Sequence, residues 1–267
     1  MKIQDIISKE YIKLDINDFL SKFIGQIIKH PEDDDALIFD KKKFKGVLKR
    51  QWILQSRVDA SKTKVKNFIA HVSSLDPEDD LKKAAKLMYA SDFRLLPVEQ
   101  NGEIIGVIKA KDIFKSFRVK GKAEQIANTN LVVLNEKARY GNAINVMKET
   151  KLGHVPIVDD KGELSGIVTR TDWMKKYLML PKNSDFGAKE FGHMTRAHKE
   201  KNNMLDLPIK DIMRGYGVVT ASPNASIRKI IDLIIEGNAP SVVLIKDNKP
   251  VGIITIRDLL RFFVVQG

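Results

Sequence analysis

The sequence predicts an α+β fold built from four copies of one β-α-β-β-α unit, each roughly 55 residues long. One observation is a seven-residue signature in which a glycine begins a short apolar strand that leads into a helix. A second observation is an amphipathic helix that precedes every copy of the signature at a nearly constant distance. The four signatures are Gly46–Trp52, Gly106–Asp112, Gly166–Asp172 and Gly252–Asp258.

The helix ahead of each signature has apolar residues at positions i, i+3, i+4 and i+7, which form one helical face. The faces begin at Leu20, Leu81, Tyr140 and Ile227. Each of these residues precedes its signature glycine by 25 or 26 positions. Such constant spacing indicates an internal structural repeat.

Two apolar segments joined by a polar turn follow each of these helices. In the third repeat they are His154–Val158 and Leu164–Thr169, connected through Asp159–Gly162. This pattern is typical of a β-hairpin with buried strands. A head segment, such as Ile209–Ile212 in the fourth repeat, begins each unit. An acidic residue such as Asp172 then begins a second helix, where it suits the positive end of the helix dipole.

The repeats divide the chain into residues 1–57, 62–120, 121–178 and 206–267, and the first repeat has the most degenerate signature. Residues 179–205 form a basic, polar insertion without helical or strand periodicity. We expect this insertion to be either a flexible surface excursion or a lid over a neighbouring site.

The composition limits the class of protein. The chain has 267 residues, a formal net charge of +12 and no cysteine, so disulfides and thiolate chemistry are excluded. No apolar run reaches the ~18 residues of a membrane span, and the N-terminus lacks a signal-peptide pattern. We therefore expect a soluble, cytoplasmic protein that does not bind membranes. The positive charge favours anionic partners, and a lysine-rich solvated surface is the alternative explanation.

This fourfold pattern, with units that end in Gly-apolar-x-Ser/Thr-x-x-Asp, resembles the cystathionine-β-synthase (CBS) domain. The resemblance extends to archaeal stand-alone CBS proteins and to the gamma subunit of AMP-activated protein kinase. It implies that residues 1–120 and 121–267 each form a pseudo-twofold pair of repeats, a Bateman module, and that the two pairs assemble as a flat disc. It also implies a homodimer. Pairing is physically sensible because one such unit has too little core to be stable alone.

The resemblance implies a regulatory function in which an adenosine-containing ligand binds in the clefts between paired repeats, mainly in the C-terminal pair. The expected ligands are AMP, ADP or ATP, with S-adenosylmethionine or a dinucleotide as alternatives. In the two intact signatures, Asp172 and Asp258 would accept charge-assisted hydrogen bonds from ribose hydroxyls. The alternative is that both aspartates only cap their helices.

The other candidate ligand residues lie near these aspartates in the sequence. Thr169, Thr171 and Thr255 offer hydroxyls to ribose or phosphate oxygens. Arg257 is the best phosphate candidate, because its forked guanidinium matches phosphate oxygens. By resemblance, the first hairpin strand forms the wall of the adenine pocket. The wall residues are Gly153, His154 and Val155 in the third repeat and Ala239, Pro240 and Ser241 in the fourth.

Several residues have competing interpretations. His154 either approaches ligand phosphate or is structural, and Tyr140 either lines the base or packs in the core. In the second repeat, Lys109 and Lys111 accompany Asp112, and the two lysines either favour a polyphosphate or pair with Asp112 and close the site. In the first repeat Trp52 replaces the ribose carboxylate, so we expect core packing there instead of a ligand site.

Enzyme motifs are absent from the sequence: it has no Gly-x-x-x-x-Gly-Lys-Ser/Thr phosphate loop, Gly-x-Ser-x-Gly elbow, His-Glu-x-x-His or EF-hand loop. We therefore predict a non-enzymatic protein that requires no cofactor or metal ion. An alternative of a different class is a nucleic-acid-binding or scaffold protein that uses the basic stretch Lys41–Lys66.

Overall fold

The structure is a computed structural model, and it describes residues 1–30, 33, 35–50, 52, 58–150, 152–169, 172, 205–215, 217–237 and 239–266. Thr171 and the predicted insertion, apart from Leu205, lie outside these residues. Within the described ranges, no helix combines the length and the apolar character that a membrane span requires.

The described residues form six α-helices and eleven β-strands. The helices are α1 (Leu20–Lys29), α2 (Leu81–Ser91), α3 (Ala110–Lys115), α4 (Tyr140–Thr150), α5 (Ile227–Glu236) and α6 (Ile256–Gln266). The strands are β1 (Ile12–Asp15), β2 (Asp35–Asp40), β3 (Lys43–Lys49), β4 (Leu95–Gln100), β5 (Glu103–Lys109), β6 (Leu134–Asn135), β7 (His154–Val158), β8 (Leu164–Thr169), β9 (Thr220–Ala221), β10 (Ser241–Lys246) and β11 (Lys249–Thr255). A single 3-10 turn begins each repeat, at Ile3–Ile6, Val65–Phe68, Ala123–Gln125 and Ile209–Asp211.

The repeats share one sheet topology. The first, third and fourth repeats hold the three-stranded sheets β1-β2-β3, β6-β7-β8 and β9-β10-β11. In the first and third, the short first strand runs parallel to the second, and the last two strands form an antiparallel hairpin. In the second repeat, a parallel bridge between Leu75 and Val98 takes the place of the first strand beside the β4–β5 hairpin. The predicted α+β fold of four repeated units is confirmed.

The predicted apolar helix faces form the core. In α5 the side chains of Ile227, Ile230 and Ile234 are completely buried. Burying an isoleucine side chain stabilises a fold by about 1.5–3 kcal/mol, so these faces hold each helix on its sheet. The faces of α1 and α2 are buried in the same way. In α4, Ile144 is only half-buried, whereas Tyr140 has no exposed surface.

The chain folds into two compact units. The first comprises Met1–Lys120, Ile227–Asn238 and Thr255–Gly267, and the second comprises Gly121–Ser226 and Ala239–Ile254. Helices α5 and α6 of the fourth repeat therefore belong to the first unit, while most of the strands of that repeat belong to the second. In the first unit, the ring of Phe263 on α6 packs on the ring of Phe117, with centroids 3.9 Å apart. We expected the whole fourth repeat to belong with residues 121–267. Most of its strand residues do, whereas its two helices belong to the unit that contains residues 1–120.

The signature glycines lie where the head segment of another repeat passes closest to the sheet. A Cβ atom on Gly166 would lie 2.6 Å from the sulfur of Met213 and 2.9 Å from the carbonyl oxygen of Arg214. Contacts this short exclude a side chain unless the backbone shifts, so only glycine fits without strain. Similar close approaches occur between Gly46 and the carbonyl of Ala70 and between Gly106 and the carbonyl of Ser8. Gly252 is less crowded, because a Cβ atom there would lie 3.2 Å from the Cβ of Ala127.

These close approaches are reciprocal within each pair of repeats. The residue after each signature glycine forms an antiparallel bridge with the head of the other repeat. The bridges are Val47 with Ala70, Val107 with Ser8, Ile167 with Arg214, and Ile253 with Asn128. The first and second repeats hold each other in this way, as do the third and fourth. This exchange has the pseudo-twofold character that the resemblance implied, and it explains why the signature begins with glycine.

Candidate ligand site in the third repeat

Thr169, at the end of β8, and Asp172, in the helical turn after it, are the two central residues of the predicted site. The backbone N–H and the hydroxyl of Thr169 both donate to Oδ2 of Asp172, at 2.8 and 2.6 Å. Both residues are buried. Oδ2 therefore acts as a helix cap, as one of the two interpretations expected. The other carboxylate oxygen makes a separate contact.

That contact is with Arg214, which was not among the predicted site residues. Its Nε lies 2.7 Å from Oδ1 of Asp172, and its Nη2 donates to the hydroxyl oxygen of Thr169 at 3.1 Å. The backbones of Arg214 and Ile167 exchange hydrogen bonds of 3.0 and 3.1 Å, which fix the arginine beside β8. The guanidinium thus neutralises a buried carboxylate of the neighbouring repeat, and its own side chain is 38% exposed.

A positional signal in the sequence could have identified Arg214. It stands five residues after the start of its head segment, and the same place in the other repeats is occupied by uncharged residues. These residues are Ser8, Ala70 and Asn128. An alignment of the four heads shows that only the head of the fourth repeat carries a positive charge at this place.

Tyr140, the first residue of α4, adds a buried hydroxyl to this site. The side chain has no exposed surface, and its hydroxyl has no hydrogen-bond partner among the described residues. Burial, and then the negative charge of Asp172, raise the pKa of Tyr140 far above its ordinary value. The hydroxyl is therefore a protonated donor close to Asp172. The complete burial of Tyr140 favours the core-packing interpretation, and a contact with a ligand base stays a prediction.

The predicted adenine wall lies on the strand that pairs with β8. His154 is directly opposite Thr169 in the antiparallel register, so the two side chains lie on the same face of the sheet. Val155 is completely buried and half-buried His154 precedes it. No described atom lies within 4 Å of the place where a Cβ of Gly153 would be, so the strand begins beside open space. The structure thus brings this strand together with Thr169.

In the fourth repeat, Thr255 and Asp258 repeat the cap geometry. The N–H and the hydroxyl of Thr255 donate to Oδ2 of Asp258 at 2.9 and 2.7 Å. Arg257 is occupied by the second repeat: its Nη1 donates to Oδ1 of Asp92 at 3.0 Å and to the carbonyl oxygen of Tyr89 at 3.3 Å. The three expected wall residues belong to the second unit, in which Ala239 and Ser241 are buried and Pro240 is half-buried.

In the second repeat, Lys109 does not form the expected ion pair with Asp112, and the polyphosphate interpretation stays a prediction. The ammonium group of Lys109 lies 2.7 Å from Oδ1 of Asp33, not beside the carboxylate of Asp112. Asp112 accepts a hydrogen bond from the backbone N–H of Lys109 at 3.3 Å, so it caps its helix as the aspartates of the later repeats do.

The first repeat has lost the ribose carboxylate and gained a buried charge cluster. Lys49, 9% exposed, reaches Oδ2 of Asp92 at 2.6 Å, and the Trp52 ring packs edge-on against Phe93. Asp35, opposite Lys49 in the hairpin register, is almost completely buried. Its Oδ2 accepts the N–H of Arg94 at 2.8 Å, and burial raises the pKa of Asp35 to about 6.

Comparisons with known proteins identify the family of these repeats. The family model described as "CBS domain" matches residues 65–118, 123–178 and 209–265, which together are more than half of the chain. The first repeat, whose signature ends in Trp52, is not among these segments.

The whole chain also resembles solved structures and a curated relative. The crystal structure of protein MJ1225 from Methanocaldococcus jannaschii superposes with a TM-score of 0.77 at 17% identity and covers 98% of this chain and 100% of that one. A conserved protein from Pyrococcus horikoshii has a TM-score of 0.65 at 19% identity over 99% of this chain and 100% of that one. The uncharacterized protein MJ1404 of M. jannaschii is 25% identical over 97% of this chain, which spans 61% of the length of that relative. The family match and the repeated, reciprocally paired fold show that the chain belongs to the CBS domain family.

Proposed function

We propose that this protein is a regulatory sensor that binds an adenosine-containing ligand at the site of the third repeat. The observation that carries the proposal is the contact among three groups of the second unit, together with a fourth, buried group whose pKa is raised by burial and by the charge of Asp172. The three groups are the Asp172 carboxylate, the Thr169 hydroxyl and the Arg214 guanidinium, and the fourth is the unpartnered Tyr140 hydroxyl.

Each group has a chemical role toward such a ligand. Oδ1 of Asp172 accepts the ribose hydroxyls, because a carboxylate can accept about four hydrogen bonds and Oδ2 is already used by Thr169. The Tyr140 hydroxyl donates to a ligand oxygen and thereby loses its unsatisfied state. The strand of Gly153, His154 and Val155 provides the surface for the base.

The role is regulatory because these groups hold a ligand and do not transform it. Arg214 and Ile167 belong to different repeats and are joined by their backbones, so a ligand that moves Arg214 acts on the contact between the repeats. Binding then favours one arrangement of the pair, by no more than the difference in its affinity for the two arrangements. Thr255 and Asp258 have the same local geometry and form part of a second candidate site.

Calorimetric titration of the full chain with AMP, ADP, ATP, S-adenosylmethionine and NAD tests the proposal. We expect at least one ligand to bind, and a hundredfold excess over its Kd should stabilise the fold by roughly 2.7 kcal/mol. Asp172→Asn keeps an oxygen for the cap and should weaken binding by about tenfold or more. Asp160→Asn, a change at an exposed carboxylate of the same repeat, is the control. If none of the five ligands binds the wild-type chain, the proposal is wrong.

A second candidate function is polyanion binding by the hairpin turn of the first repeat. Lys41, Lys42 and Lys43 are all exposed there, whereas the corresponding turn of the second repeat is Asn101–Gly102. Lys49 of the same basic stretch is buried and paired with Asp92, so the stretch is not one continuous basic face. This function predicts RNA binding that weakens steeply with salt, is lost when the three lysines become glutamine, and survives Asp172→Asn.

A further inference from the structure

Arg214 occupies the atoms that a ribose would use. Its Nε makes a 2.7 Å ion-pair contact with Oδ1 of Asp172, without the geometry of a hydrogen bond, and its Nη2 donates a hydrogen bond to the hydroxyl oxygen of Thr169. Both polar groups of the signature are therefore engaged in this structure. A ribose can reach Oδ1 only if Arg214 moves away from the carboxylate. Ligand binding at this site is therefore an exchange of partners and not the filling of a vacant position.

The exchange is costly for a neutral ligand. Asp172 is 7% exposed, and its new partners would be the two ribose hydroxyls. The Asp172 carboxylate would keep hydrogen bonds but lose its counter-charge, which is costly for a buried ion. The displaced guanidinium would lose its charged partner too, although water reaches its 38% exposed side chain. A phosphate group on the same ligand removes this penalty, because guanidinium and phosphate form bidentate, charge-assisted hydrogen bonds.

We infer that Arg214 is a specificity-determining residue that restricts the third-repeat site to ribosyl ligands bearing a phosphate. The ribose diol replaces the guanidinium on Asp172, and the ligand phosphate replaces Asp172 on the guanidinium. Both charges of the pair keep a partner throughout the exchange. An uncharged nucleoside leaves Arg214 without a partner, and a sulfonium ligand such as S-adenosylmethionine brings a second positive charge to it.

The other repeats provide an internal comparison for this inference. The position of Arg214 is occupied by Ser8, Ala70 and Asn128 in the other three heads, although the backbone bridge is the same. The fold therefore does not require an arginine there. Among the described signature aspartates, only Asp172 is buried, and only Asp172 has an arginine at this head position. The positive charge therefore accompanies the buried carboxylate of the third repeat and is not a general feature of the heads.

The inference rests on the proposed function, and calorimetric titration of the full chain with AMP, adenosine and S-adenosylmethionine separates the two. We expect the wild-type chain to bind AMP about 10- to 100-fold more tightly than adenosine, the range that one charge-assisted contact supplies. Arg214→Ser, the residue that the first repeat has there, should bind adenosine more tightly than the wild type and lose the preference for AMP. Arg214→Lys should retain a reduced preference, because it keeps the charge without the fork.

Arg139→Ser is the matched control, because Arg139 lies in the same unit, is exposed and pairs with Asp206. It should leave the preference for AMP unchanged. Equal binding of adenosine and AMP by the wild-type chain overturns the inference and leaves the proposed function standing. If both Arg214 variants keep the wild-type ratio of AMP affinity to adenosine affinity, the inference is likewise overturned while the proposed function stands. Arg214→Lys still tests the inference if Arg214→Ser fails to fold. If none of these three ligands, nor ADP, ATP or NAD, binds the wild-type chain, the proposed function falls and the inference falls with it.

Discussion

The backbone of Arg214 lies so close to Gly166 that a Cβ atom at position 166 would be 2.9 Å from the Arg214 carbonyl oxygen. The same close approach delivers the Arg214 side chain to Asp172. Repeat pairing and site chemistry therefore depend on one backbone contact. A ligand that displaced the guanidinium would also act on the head segment of the fourth repeat, whose backbone is hydrogen-bonded to Ile167.

Gly166→Ala should destabilise the protein by about 1–3 kcal/mol, the usual cost of overpacking a tight contact. The added methyl group meets the Arg214 backbone, which cannot yield as a flexible side chain can. It should also weaken nucleotide binding, because Arg214 must shift. Chemical denaturation and calorimetric titration measure the two effects.

Gly25→Ala in α1 is the control for that experiment. No described atom lies within 4 Å of its Cβ position, and alanine is favoured over glycine inside a helix by about 0.5–1 kcal/mol. This variant should be more stable than the wild type. A Gly166→Ala protein as stable as the wild type would contradict the role of the glycine in pairing.

The features that the sequence predicted are those that depend on local pattern. The helix face of Ile227, Ile230 and Ile234 is buried as predicted, because the 3.6-residue period of a helix decides which residues share a face. The hairpins were also predicted from a local pattern, because two apolar segments and the polar turn between them lie within about 15 residues. Thr169 and Asp172 were identified because both belong to the signature that resembles the CBS pattern, and their separation of three residues is local.

The features that it did not predict depend on contacts between distant segments. Arg214 meets Thr169 from 45 residues away, and Lys109 meets Asp33 from 76 residues away. Neither pair follows from spacing, because the distance between two segments in the fold is set by repeat pairing. The assignment of α5 and α6 to the first unit has the same origin. Aligning the four heads would have drawn attention to Arg214 but not to its partner.

The Lys49–Asp92 pair offers a test of how the first unit is held together. Asp92→Asn keeps the left-handed backbone of this position, which asparagine tolerates, and removes the charge that Lys49 contacts at 2.6 Å. Because Lys49 is buried and Asp92 is partly exposed, we expect a loss of about 1–2 kcal/mol in the free energy of unfolding. Urea denaturation measures it.

Lys49→Met should cost about 1 kcal/mol or less, because Asp92 is partly exposed and keeps its contact with Arg257. Adding Asp92→Asn to Lys49→Met should then cost much less than it does alone, which a double-mutant cycle detects. Fully additive effects would show that the two side chains do not depend on each other.

Asp35 should make the stability of the first unit depend on pH. Burial raises its pKa from 3.8 to about 6, against the opposing effects of the Arg94 N–H and the positive charges of Lys49 and Arg94. The folded state therefore binds the proton more tightly than the unfolded state, so this residue adds stability as the pH falls through about 6. Relative to Asp35→Asn, the wild type should gain about 1 kcal/mol between pH 7.5 and pH 5.

Denaturation of both proteins at the two pH values measures this difference. All other titrating groups are present in both proteins, so their contributions cancel when the two free energies of unfolding are subtracted. Asp160→Asn, at an exposed position, should show the same pH dependence as the wild type. If the wild type and Asp35→Asn respond equally to pH, the Asp35 carboxyl has no raised pKa in the folded protein.

Tyr140→Phe separates a structural role of the buried hydroxyl from a ligand-binding role. A buried hydroxyl without a partner costs free energy in the ligand-free protein, so its removal should leave the stability unchanged or raise it by up to about 1 kcal/mol. If the hydroxyl donates to the bound ligand, the same variant should bind AMP about three- to tenfold more weakly, the worth of one neutral hydrogen bond. Thermal unfolding without ligand and calorimetric titration with AMP provide the two measurements. A variant that is less stable than the wild type and binds AMP with unchanged affinity would assign Tyr140 to the core alone, and the site would then consist of Asp172, Thr169 and Arg214.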